Sequence, residues 1–216
     1  MSDDLDTQIA YWDAAATTKT FTHPLHLPWL EDLDRNAAVL DYGCGYGRAL
    51  TALQEQGFAD LTGVDTSPEM IAEARRRQPG AFFAVLDAPP ALQAPDDSFD
   101  LVLLLAVLTC IPGDDAQHGL IREVARVLRP GGLLYVSDLL LQEDARSRER
   151  YERFAGPYGT YGVFETSDGA VCRHHPADHL TSLLDGFTVT GTRRPTVATM
   201  NGRTSAAGIQ LLARKD

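Results

Sequence analysis

The sequence predicts an α/β fold built on a mostly parallel sheet with helices on both faces. Three observations carry this. Short apolar runs of strand length alternate with segments of helical period. Three of those runs end in an acid, at Asp41, Asp65 and Asp87. A turn containing Gly43, Gly45 and Gly47 joins the first run to a helix, and glycines at such a turn let the backbone pass close to a ligand.

Taken in order, residues 1–35 form a peripheral segment whose first part, about Asp6 to Ala16, reads as a short helix. V-L-D-Y at 39–42 is the first strand, and the helix from Gly47 to about Gln56 aims its amide dipoles at the glycine turn. L-T-G-V-D at 61–65 is a second buried strand; Thr66, Ser67 and Pro68 then cap a helix with Glu69 in its first turn. F-F-A-V-L-D at 82–87 is a third strand. F-D-L-V-L-L-L-A at 99–106 is a fourth, apolar as a strand covered on both faces should be. A helix at about 114–128 leads through R-V-L-R-P-G-G (126–132) into a fifth. A charged helix (about 142–155) and the strap G-P-Y-G-T-Y-G precede two short alternating runs around Ser167-Asp168-Gly169, which predict a β-hairpin. A helix at about 177–184 and strands at 187–199 and 206–214 complete the chain.

The glycine turn has chemistry of its own. A dinucleotide turn requires G-x-G-x-x-G with a pyrophosphate on the helix N-terminus. Here the spacing is G-x-G-x-G, Arg48 stands where the third dinucleotide glycine would fall, and Asp41 sits where a pyrophosphate would be repelled. An acid at that point suits a cationic ligand, so S-adenosylmethionine, with its sulfonium and ammonium groups, fits better than NAD.

The series D-Y-G-C-G-Y-G, G-V-D-T-S-P-E-M, the strand ending in Asp87, F-D-L-V and R-V-L-R-P-G-G closely resembles the class I S-adenosylmethionine-dependent methyltransferases, from about Val39 to Asp138. The resemblance implies a Rossmann-like sheet of seven strands with a terminal antiparallel strand, in a single domain over 1–216. It implies that Gly43, Cys44, Gly45 and Gly47 shape the pocket for the methionine moiety, with Asp41 near its charged groups. It further implies that Asp65 holds the ribose while Thr66 and Met70 lie along the nucleoside. Asp87 and Ala88 would meet the adenine, and Leu105 and Ala106 would sit beneath the reacting methyl.

Composition sets limits. The chain has 216 residues, 44% of them hydrophobic, enough for one sizeable core. A net charge of −11 with few lysines argues against a nucleic-acid partner. The Arg75-Arg76-Arg77 run reads as a solvated helix end. With no charged-then-apolar leader and no membrane-length apolar run, the expectation is a soluble, cytoplasmic protein without a membrane partner, as a monomer or a homodimer. The three cysteines are odd in number and widely spaced, which argues against a disulfide scaffold.

Substrate specificity is expected outside the shared core. Residues 1–35 read as a cover segment, in which Tyr11 and Trp12 either pack on the domain or close the sulfonium pocket by cation–π contact. His23, before Pro24, is held extended; its direction stays open. Residues 139–179 read as a lid above the C-terminal strand ends. Within it, Cys172, His174, His175 and His179 invite a metal, but their spacing matches no familiar zinc pattern and no second cluster exists. The first expectation is one or two hydrogen-bonded structural histidines plus an exposed one; a general base at His174 comes second and a metal third, so no metal is expected. Strand alternation puts Cys172 and His174 on one face and Arg173 and His175 on the other. The expected general base for a hydroxyl acceptor is His174, or a lid tyrosine, Tyr158 or Tyr161. Arg153 or Arg173 is a further candidate, to pair a substrate carboxylate.

The reading is therefore methyl transfer by in-line displacement to a small-molecule oxygen, sulfur, selenium or nitrogen. A non-catalytic cofactor-binding protein and a protein or peptide methyltransferase stay open as alternatives. A weaker likeness of Y-W-D, F-T-H-P-L and Y-G-C-G-Y-G-R to methyltransferases grouped with tellurite-resistance enzymes favours a soft chalcogen.

Overall fold

The strand whose residues are buried along its whole length, β1 (Val39–Tyr42), takes a central place in the sheet. It pairs in parallel with β2 (Leu61–Asp65) on one side and β4 (Phe99–Leu105) on the other. This computed structural model describes residues 5–202 and 205–216, so the first four residues of the expected cover segment, and Arg203 and Thr204, lie outside the description.

The strand order is β3-β2-β1-β4-β5-β10-β8, with β3 (Phe82–Val85), β5 (Leu128–Leu139), β8 (Phe187–Arg193) and β10 (Ala206–Lys215). Strands β1 to β5 run parallel, and β10 lies antiparallel between β5 and β8. The mostly parallel sheet with a terminal antiparallel strand is as expected. One detail differs: the run 187–199 is two strands, because Pro195 interrupts it. Proline has no N–H to continue a ladder; its carbonyl accepts from Gly208 N (2.9 Å), and a short β9 (Thr196–Val197) then pairs with β10.

Apolar clusters fill both faces. One gathers Leu104, Val124, Leu134 and Leu180 with α4 (Asp114–Val127) and α6 (Ala177–Ser182). The other gathers Leu50, Leu53, Ile71 and Leu103 with α2 (Arg48–Glu55) and α3 (Pro68–Arg77). The crossovers switch faces at β1 and β4, so the crevice beyond their C-terminal ends is where such a sheet takes a ligand.

Two additions overhang that crevice. One is α1 (Ile9–Ala15) with the extended chain that follows. The other is α5 (Ala145–Tyr158) with the antiparallel hairpin β6 (Val163–Glu165) and β7 (Val171–Arg173). The hairpin forms as the sequence predicts, with Gly169 at φ 99°. Helix α5 is displaced towards the C-terminus of its expected span. Asp144 caps it by accepting from Ser147 N (3.1 Å), and it runs through Gly156 and Pro157 to end at Gly159, φ 69°. The strap was thus partly helix. Among the described residues no helix is long and apolar enough to cross a membrane.

Candidate active site

β1 delivers Asp41 to the crevice with only 2% of its surface exposed. The glycines after it take φ of 70°, 53° and 82° at Gly43, Gly45 and Gly47. At Gly43 the need for glycine is double, since a Cβ would also stand 2.8 Å from Val107 Cγ2. The loop is tied to β2: Gly43 N and Cys44 N donate to Val64 O, and Gly45 N donates to Asp65 Oδ2 (2.8 Å). Asp65 Oδ1 accepts from Ser67 N (2.9 Å). A carboxylate offers about four acceptor positions, so Asp65 keeps capacity on the cavity it lines.

The two acids differ in their support. Burial raises the Asp65 pKa, and backbone N–H groups of Ser67 and Gly45 oppose the rise. Asp41 accepts no hydrogen bond from the described residues; burial lifts its pKa to about 7, with nearby Arg48 pulling the other way and Asp65 adding to the rise. Arg48 donates to the His23 carbonyl and leaves its Nε buried without a partner. His23 does face the cavity. Its Nδ1 lies 3.3 Å from Ser137 Oγ, and burial, then Arg48, lowers its pKa to about 4, so the ring is neutral.

Residues from these elements enclose a cavity of 310 Å³. Of those expected there, Trp12, Asp41, Gly43, Cys44, Gly45, Asp65, Thr66, Met70, Leu105, Ala106 and His174 line it. Ala106 takes a φ of 59°, uncommon for a side-chain-bearing residue, at the end of β4 where its N–H donates to Ser137 O (2.7 Å). Gly47, Tyr11, Asp87 and Ala88 are not on the wall; Leu86 and Pro89 are, on either side of the last two. Tyr158 and Tyr161 are not brought to it either. Tyr158 donates to Glu165 on the outside (2.8 Å), and Tyr161, 45% exposed, packs edge-on against Tyr151.

The N-terminal cover is joined to both the core and the lid. Asp13 Oδ1 accepts from Ser67 Oγ (2.5 Å) and Glu69 N (3.2 Å), which fastens α1 to the start of α3. Tyr11 donates to Asp168 in the hairpin turn (3.0 Å), and Lys19 pairs with the same carboxylate. Gln8 exchanges hydrogen bonds with the Val171 backbone, at 2.9 and 2.7 Å.

This arrangement can be set beside known proteins. Residues 40–136 match the family model described as a methyltransferase domain. A solved S-adenosylmethionine-dependent methyltransferase of Methanosarcina mazei is 27% identical, superposes with a TM-score of 0.82, and is matched over 88% of this chain and 98% of its own. In sequence and fold the chain is similar to S-adenosylmethionine-dependent methyltransferases. The trans-aconitate 2-methyltransferase of Methylobacterium nodulans is 39% identical over 134 residues, 59% of this chain and 50% of that protein. The malonyl-[acyl-carrier protein] O-methyltransferase of Enterobacter lignolyticus is 38% identical over 106 residues, 49% of this chain and 40% of that protein. The chain thus spans about half the length, or less, of these curated relatives.

In this chain the hairpin splits the cysteine–histidine cluster as strand alternation requires. Cys172 and His174 face the cavity, and the Tyr151 hydroxyl meets His174 Nδ1 at 2.6 Å. His175 and His179 stack on the other side (5.4 Å), each bonded to Gln117 at 2.9 and 2.8 Å. Among the described residues no three metal-ligating side chains converge. Arg173 is buried against Asp114 (2.6 Å), and Arg153 lies over Phe154, so neither candidate arginine is on the wall. Instead Arg146, Ser147 and Arg150 of α5 are, and the sequence reading passed over them. Their signal was available in the stripe Ser147, Tyr151, Phe154, Tyr158 at helical spacing, which orients the helix and sets Arg146 and Arg150 along its inner edge.

Proposed function

We propose that this chain transfers a methyl group from S-adenosylmethionine to a small molecule held under the lid. The observation that carries the reading is Asp41: a carboxylate 2% exposed, on the cavity wall, with no hydrogen-bond donor among the described residues. A buried carboxylate without a partner is costly, and a cationic ligand relieves that cost. Asp65, one strand away at the end of β2, has the residue type and position that suit a ribose diol. The donor set therefore fits the family's cofactor.

When bound, S-adenosylmethionine supplies a methyl group already activated by its sulfonium charge. The remaining work falls to the chain: Asp41 and Asp65 hold and orient, Trp12 and Phe21 cover, and the lid keeps water out. Gly47, Tyr11, Asp87 and Ala88 shape this pocket through the backbone and residues beside them. His174, fixed by Tyr151, meets the acceptor; Tyr158 and Tyr161 have no part in the transfer. A cavity of 310 Å³ closed by a cover and a lid favours a small acceptor over a protein or nucleic acid. The two curated relatives described above act on carboxylic acids by name or as O-methyltransferases, which supports an oxygen acceptor here.

The test is calorimetric titration with S-adenosylhomocysteine, followed by methyl-transfer assays on a panel of acids, phenols, thiols and amines. Absence of S-adenosylhomocysteine binding removes the reading. Tight binding with no turnover on any class of acceptor replaces it with a cofactor-binding protein.

A further inference from the structure

The lid wall carries two cationic side chains on α5, apart from the strand ends that hold Asp41 and Asp65. Arg146 and Arg150 stand four residues apart on α5 and both line the cavity, with Ser147 between them. Like charges at that spacing repel. Among the described residues neither forms an ion pair. This is unusual in a chain of net charge −11. By contrast Arg173, on β7 and off the cavity wall, is neutralised by Asp114 at 2.6 Å.

Arg150 is also held in place. Its guanidinium lies 3.4 Å from the Phe164 ring centroid and its Nε is buried without a hydrogen-bond partner. Stacking fixes the plane of the group, and beyond its interaction with the Tyr151 hydroxyl the remaining edge donors are available to a planar acceptor. Burial, with Arg146 adding repulsion, lowers the Arg150 pKa from its usual value. Phe164, Cys172 and His174 complete the neighbouring wall.

We propose that the acceptor is an anionic small molecule whose carboxylate is bound by Arg150 and Arg146. This rests on the methyltransferase reading for the word acceptor, but the anion site itself does not. The site is bipolar: acids at the sheet end receive the cationic part of the cofactor, and arginines on the lid receive the anionic partner. Arg150 supplies the fixed fork, and the more exposed Arg146 supplies charge that salt screens.

The experiment is calorimetric titration of the whole chain, free and saturated with S-adenosylhomocysteine. The probes are glutarate, citrate and benzoate, each against its amide. The acids should bind at least about ten-fold tighter than the amides. Arg150→Met should remove about 10- to 100-fold of that affinity, and Arg146→Gln less, with a weaker salt dependence than the parent. S-adenosylhomocysteine affinity should stay within about two-fold in both variants. Should Arg150→Met fail to fold, Arg150→Lys keeps the charge, loses the fork and should still weaken acid binding.

Equal binding of acids and amides overturns the proposal, as does undiminished acid binding in the Arg150 variants. If the parent protein fails to bind S-adenosylhomocysteine yet prefers acids through Arg150, the anion site stands and the methyltransferase reading falls.

Discussion

Replacing Asp41 with Asn should separate stability from binding, because the proposed function has this carboxylate pair the cofactor's ammonium, while burial makes it costly for the free protein. Its pKa rises from 3.8 to about 7 on folding, mainly through burial. The folded state therefore holds a proton that the unfolded state releases between those values, and stability falls as pH rises across the window. From pH ~5 to pH ~8, that shift corresponds to a loss of about 2–3 kcal/mol. Arg48, the nearby cation, and Asp65, the nearby acid, are already included in the direction of the shift. Asp138, raised to about 7 by burial as well, gives a similar slope in both proteins and cancels in the comparison. Asp41→Asn has no such slope, so its melting temperature relative to the parent should climb by roughly 4–12 °C between the two pH values. Thermal unfolding by circular dichroism in matched buffers measures this. In calorimetry the same variant should lose at least about ten-fold in S-adenosylhomocysteine affinity near pH 8, since a neutral amide no longer pairs the ammonium group. A stability difference that does not grow with pH refutes the electrostatic argument. Unchanged affinity refutes the role of Asp41 in binding.

Further outcomes follow from other contacts. Gly43→Ala must place a Cβ at φ 70° and 2.8 Å from Val107 Cγ2, so chemical denaturation should register a loss of about 1–3 kcal/mol together with weaker S-adenosylhomocysteine binding. Adding Val107→Ala should recover only the steric share. Asp13→Ala removes the acceptor for Ser67 Oγ and Glu69 N; it should cost about 1 kcal/mol and speed S-adenosylhomocysteine dissociation in stopped flow. His174→Ala should lower kcat strongly while leaving S-adenosylhomocysteine affinity near that of the parent. Tyr151→Phe, which deletes the 2.6 Å contact to His174 Nδ1, should fall between the two; parental kcat in His174→Ala removes the histidine from the mechanism.

The parts of the molecule that could be read from sequence are those written in local pattern. The strands ending at Asp41 and Asp65, the glycine turn and the Ser67-Pro68 helix start each carry their signal within a few residues, and each has its expected counterpart in the structure. Alternation likewise divided Cys172 and His174 from Arg173 and His175. What local pattern could not supply was orientation between distant elements. In α5, arginines alternate with acids and so resemble a solvated helix, yet docking of Tyr151 turns Arg146 and Arg150 inward. Tyr158 and Tyr161 were expected as lid tyrosines, but α5 continues through Gly156-Pro157 to Tyr158 and both side chains lie off the cavity wall. His23 was constrained by Pro24 without being aimed; its direction comes from the far side of the sheet, through Ser137 and the Gln210 bond to Pro24 O (2.6 Å).

The cover and the lid also act on each other, and this bears on how an acceptor enters. Asp168 at the hairpin turn receives both Tyr11 and Lys19, which hold its pKa down at about 2, Lys19 foremost. Gln8 spans from the start of α1 to the Val171 backbone and to Cys110 O (3.2 Å). In the proposed arrangement the cofactor would lie under α1 and the acceptor under α5 and the hairpin, so neither compartment could open far without disturbing this seam. These bonds, buried at Gln8–Val171 and exposed at Tyr11–Asp168, contribute only about 0.5–1.5 kcal/mol each, and the ion pair less than about 1 kcal/mol. A seam that weak can open often, yet it closes both compartments together. Cofactor bound beneath Trp12 would then favour the closed lid, because Asp13 and Gln8 belong to the same short segment as the tryptophan. That coupling gives the chain a physical reason to order its binding, with the acceptor's carboxylate meeting Arg150 in a cavity whose other end is already filled.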